Sequence, residues 1–109
     1  MKRILQAMLL ISFPLFFLTT MGKSQGKVGI FDGHTDIGSN VKPGWTTYIP
    51  QTDQYIITGA GYNIWADHDE FQFAWKKMTG DFILYARMEF LGSWVNYHRK
   101  VGWMVRKSL

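Results

Sequence analysis

Residues 71–75 set Phe71, Phe73 and Trp75 at every second position, with Gln72 and Ala74 between them. That is the period of a strand buried on one face, whereas helical spacing would scatter the three rings. Met78-Thr79-Gly80-Asp81 then punctuates the chain, and a second alternation follows in which Phe82, Leu84, Ala86, Met88 and Phe90 are separated by Ile83, Tyr85, Arg87 and Glu89. Two such runs joined by a short turn containing glycine predict a hairpin. Its first strand presents a wide aromatic face, which only a second packed layer can cover. A two-layered, all-β domain is the architecture this stretch demands.

Residues 27–32 read as a short first strand, with Val28, Ile30 and Phe31 as its apolar content, and residues 32–40 as a loop. After the turn Lys42-Pro43-Gly44, residues 45–49 alternate with Trp45 and Thr47 on one face and Thr46 and Tyr48 on the other. Residues 50–54 turn the chain and residues 55–58 run back, a meander with the turn spacing of a sandwich or barrel. Residues 62–69 and 91–100 read as loops, and residues 101–109 as a last strand carrying Val101, Trp103 and Val105. The expected core is Phe71, Phe73, Trp75, Phe82, Leu84 and Trp103. No helical period, internal repeat or low-complexity tract is found after residue 24.

The N-terminus has a different character. Lys2 and Arg3 precede the mostly apolar residues 4–18, and Thr19, Thr20, Gly22 and Ser24 follow. This is the layout of a secretory signal peptide, and the apolar run is too short to span a bilayer. Cleavage fits after Gly22 or after Ser24; the second, where the chain turns polar, gives a signal peptide of residues 1–24 and a domain of residues 25–109. The expected location is therefore the periplasm or the exterior. No cysteine occurs, so neither a lipid anchor nor a disulfide is available and stability rests on burial. The formal charge of +4 falls to +1 for residues 25–109, which hold 9 Lys and Arg against 8 Asp and Glu. Net charge thus gives no support to nucleic-acid binding.

The series Asn63-x-Trp65-x-x-x-Asp69-x-Phe71-x-Phe73-x-Trp75-Lys76, then Thr79-Gly80-Asp81 and an alternating strand, resembles the concanavalin A-like jelly-roll modules of secreted bacterial proteins. Gly29-Ile30-Phe31-Asp32, Asp36-Ile37-Gly38 and Pro43-Gly44 are similar to the start of one branch of that group. Asn96-x-His98-Arg99-Lys100 and Met104-Val105-Arg106-Lys107-Ser108-Leu109 are similar to its later part, with Lys107 where glutamine is commoner. That branch sits ahead of a TolB-like β-propeller in exported proteins labelled as biopolymer-transport components. The resemblance implies an antiparallel β-sandwich that is incomplete at its C-terminal end, since a jelly roll needs ~8 strands and about six are legible here. It also implies that the missing C-terminal part of the parent chain is a partner, and it carries over no catalytic residue.

Retaining glycosidases need two carboxylates ~5 to 5.5 Å apart. The only acidic cluster is Asp67-His68-Asp69-Glu70; the Glu-x-Asp-x-x-Glu strand of laminarinase-like hydrolases is absent, and Glu89 stands alone. Asp67 and Asp69 with loop carbonyls form a candidate calcium site, without the spacing of an EF-hand. His34, His68 and His98 are too far apart to read as a metal motif, and no serine sits in a nucleophile elbow.

Aromatic side chains in loops offer flat faces for a sugar or peptide. Trp94, Asn96, Tyr97, His98 and Arg99 are the candidate ligand contacts, while Trp65 is expected to plug the end of the sandwich. The function expected is a non-catalytic binding or spacer module for a glycan or cell-envelope polymer. A fragment of a secreted glycoside hydrolase and a purely structural module are the alternatives. A binding module should leave Trp94 and Tyr97 exposed, and a structural one should bury them. Missing strands are also expected to make residues 25–109 oligomeric or poorly soluble.

Overall fold

The computed structural model describes residues 25–93 and 96–109; residues 1–24, expected as a signal peptide, and Trp94 lie outside the described residues. Among the described residues the chain is all-β and has no helix. Its strands are β1 (Gly33–Ile37), β2 (Trp45–Ile49), β3 (Gln54–Thr58), β4 (Ile64–Trp65), β5 (His68–Asp69) and β6 (Phe71–Trp75). They form three antiparallel pairs, β1 with β6, β2 with β3 and β4 with β5.

The β2–β3 hairpin forms where the sequence predicts it. Thr46, Thr47 and Tyr48 face Ile57, Ile56 and Tyr55 across the pair, and β-branched and aromatic side chains suit that pleated surface. Pro50 sets the turn, closed by Thr52 N–H donating to the Ile49 carbonyl at 3.3 Å. The opposed rings of Tyr48 and Tyr55 stack at 4.6 Å between centroids.

The β1–β6 pair has two unlike faces. Register sets Gly33, Thr35 and Ile37 opposite Trp75, Phe73 and Phe71 on the aromatic face, and His34 and Asp36 opposite Ala74 and Gln72 on the polar one. The hairpin's β2 packs on the polar face. There the Gln72 amide, turned to satisfy all its neighbours, donates to the Thr35 carbonyl (3.2 Å) and Asp36 Oδ1 (2.7 Å). Its oxygen accepts from Thr46 Oγ1 (3.2 Å) and His34 Nδ1 (2.8 Å). This network assigns the His34 proton to Nδ1. Asp36 Oδ2 also accepts the Gly44 N–H at 2.7 Å, and a Cβ on Gly44 would lie 2.4 Å from Asp36 Oδ1 and 2.8 Å from the Thr58 carbonyl. Only glycine allows that approach.

Several sequence expectations are corrected. The first strand is Gly33–Ile37, not residues 27–32, which hold only a tight turn bridged between Val28 and Phe31 with Gly29 at φ 57°. Its polar side chains read as loop because their partners, Gln72 and Gly44, lie far along the chain. The hairpin between residues 71–76 and 82–90 does not form; β6 pairs with β1, and residues 76–109 carry no strand among the described residues. Asp32 at the head of β1 holds the exit of β6, its Oδ2 accepting the Lys77 N–H at 2.9 Å. Within residues 62–69, expected as a loop, β4 and β5 make a two-residue hairpin turned by Ala66 at φ 54°.

The expected core also fails. Phe71, Phe73, Trp75 and Leu84 are half-buried, Phe82 and Trp103 are exposed, and no apolar side chain among the described residues is fully buried. The buried side chains are His34 and Thr46, at 4% and 2% exposure. The second layer thus covers the polar face of β1–β6, leaving the aromatic face half-open.

Candidate binding surface

The candidate loop is built by its own side chains. Asn96 Oδ1 accepts the His98 N–H at 2.8 Å, and the Arg99 N–H reaches the Asn96 carbonyl at 3.3 Å, which folds residues 96–99 into a turn. The Arg99 guanidinium donates to the Leu91 carbonyl at 3.0 Å and lies 4.7 Å from the centroid of the Phe90 ring. It closes the loop across its base through one of its guanidinium nitrogens. Tyr97, at the outer end, is 98% exposed. Asn96 and His98 are exposed beside it.

Lys100, the next residue, ties this loop to β4. Its ammonium donates to Asn63 Oδ1 and to the Ile64 carbonyl, and lies 5.5 Å from the centroid of the Trp65 ring. The sequence reading placed Lys100 in the Asn96-x-His98-Arg99-Lys100 likeness but not among the candidate ligand contacts. Its one signal is its place directly after Arg99, and its partners lie 36 and 37 residues away. Trp65 is not the expected plug: it is 73% exposed, on a hairpin too short to bury it, paired with His68.

Asp67 lies in the turn between β4 and β5, and Asp69 on β5 opposite Ile64; both are exposed. With Gly38, Ser39, His68 and Glu70 they line a shallow cleft. Glu70 is committed there, one oxygen accepting the Tyr62 N–H at 2.9 Å and the other 3.5 Å from His68 Nε2. Among the described residues no three His, Asp or Glu side chains form a group able to hold a metal ion.

The structure therefore brings Tyr97, His98 and Asn96 together with the Trp65 hairpin through Lys100, and keeps Asp67 and Asp69 on that same hairpin's turn and second strand. Two exposed aromatic rings, with hydrogen-bonding groups around them, make a surface suited to stacking and hydrogen bonding. Comparison with protein-family models, with curated proteins and with solved structures returned no match.

Proposed function

We propose that this chain is a non-catalytic binding module of an exported protein, with a glycan or cell-envelope polymer as its ligand. The reading takes the fold as part of a concanavalin A-like jelly roll and export as driven by residues 1–24. Its wider context is the one the family resemblance implies, a module ahead of a TolB-like propeller. The observation that carries it is Tyr97, fully exposed on a loop that Arg99 closes and Lys100 ties to the hairpin of the exposed Trp65. Tying the loop at these two points lowers the cost of ordering its backbone on binding, and the free ring offers its face to a sugar.

The test is calorimetric titration and polymer pull-down with neutral polysaccharides and peptidoglycan fragments. Binding should appear with at least one of them, and Tyr97→Ala should weaken it about tenfold, equivalent to about 1.4 kcal/mol. Absence of binding across the panel, or binding indifferent to Tyr97, would refute the reading. The half-open aromatic face of β6 favours a second reading, a structural module whose function is to pack against the rest of its parent.

A further inference from the structure

Residues 82–90, Phe-Ile-Leu-Tyr-Ala-Arg-Met-Glu-Phe, have the alternation of a strand, yet nothing pairs with them among the described residues. They run without helix, turn or bend, and none of their backbone groups meets another backbone group there. Ile83 and Tyr85 are 96% and 91% exposed, and Phe82, Met88 and Phe90 are partly so. A row of free N–H and C=O groups flanked by apolar side chains is a template for strand pairing with another chain.

The charges select the occupant. Arg87 and Glu89 are the only charged residues in the segment, two positions apart and hence on one face of a strand. Opposed residues in an antiparallel pair share a face of the sheet. When two copies pair about Met88, Arg87 of each lies opposite Glu89 of the other, Met88 meets Met88 and Ala86 meets Phe90. Centring the pair on Arg87 or on Glu89 instead sets like charges against each other. Centring it on Ala86 leaves both charges facing Tyr85 and Ile83. Residues 101–109 offer Arg106 and Lys107 and no carboxylate, so they cannot answer Arg87.

We propose that two copies of this chain pair antiparallel about Met88, residues 86–90 of one lying against residues 86–90 of the other, with two reciprocal Arg87–Glu89 contacts. The pairing is two-fold symmetric, so each copy contributes the same surface. It depends on the register of one exposed segment and not on any ligand of the Tyr97 surface.

Sedimentation and light scattering of the full chain across a dilution series test the pairing, and a single introduced cysteine tests its register, since the chain has none of its own. The wild type should dimerise. Arg87→Glu and Glu89→Arg should each weaken the dimer about tenfold or more, because each turns two attractive contacts into repulsive ones. The double exchange Arg87→Glu/Glu89→Arg should restore it. Met88→Cys should cross-link to itself under mild oxidation, and Ala86→Cys should not, because only position 88 meets its own copy within disulfide reach. A chain that stays monomeric, a dimer indifferent to both charge reversals, a double exchange that fails to restore, or equal cross-linking at positions 86 and 88 would each overturn the proposal.

Discussion

Residues 71–75 and residues 82–90 are written in the same alternating pattern, yet only the first stretch pairs into a strand among the described residues. In the first, the residues between the apolar ones are the ones that interlock. His34, Asp36, Thr46 and Gln72 come from three strands and complete one another's hydrogen bonds where water is excluded. In the second, the intervening residues Ile83, Tyr85, Arg87 and Glu89 have no such counterparts among the described residues, and the arm is fastened at its loop and through side chains such as Arg106, 5.6 Å from the Phe71 ring centroid. Apolar periodicity makes a segment capable of being a strand; a partner with matching groups makes it one.

The largest test of that contrast is Gln72→Leu. It removes the hub of the polar network, taking the Gln72 partner from His34 and Thr46 and leaving Asp36 with only the Gly44 N–H, so urea unfolding should show a loss of about 3 kcal/mol. A neutral result would mean that burial of the aromatic face, and not the polar network, holds β1 to β6. Gly44→Ala should cost about 2 kcal/mol, since its Cβ would press on Asp36 and on the Thr58 carbonyl. Arg99→Ala belongs to the other region. It should lower stability by no more than about 1 kcal/mol, because the clasp lies at the surface, while loosening the Tyr97 loop measurably by proteolysis.

The smallest effect is spectroscopic. Tyr48 donates to Asp53 Oδ1 at 2.9 Å, and this bond to a carboxylate holds the phenol above its ordinary value. The neutral form is the one favoured in the fold, so the contribution is complete below the ordinary phenol range and fades as pH rises through the raised value. In an absorbance titration Tyr48 should ionise late, and Asp53→Asn should remove the delay. An unchanged titration in that variant would show that the turn does not hold the bond.

Much of the class, and little of the pairing, was legible in the sequence. The β2–β3 hairpin could be read because its partners lie within one turn and its residues favour strands. β6 was legible as a strand from Phe71, Phe73 and Trp75, but its partner was not, since β1 is written in glycine, histidine, threonine and aspartate. Those residues look like a loop until Gln72, 38 residues from His34, is brought against them. Reading the aromatic side as the packed one was natural for the same reason: nothing local shows that the polar side carries the hydrogen bonds. At the candidate surface, the exposure of Tyr97 was legible from its loop. The clasp by Arg99 and the tether by Lys100 depend on contacts made only after folding, and Trp65 read as a plug because it lies in the Asn63-x-Trp65 motif of the family likeness.

Amide hydrogen exchange on the dilute, monomeric chain tests the contrast most directly. The account predicts protected amides in Gly33–Ile37, Trp45–Ile49, Gln54–Thr58 and Phe71–Trp75, and near-free exchange across residues 82–90. Protection of residues 82–90 equal to that of Phe71–Trp75 in the monomer would contradict it, because the arm would then have a partner within its own chain.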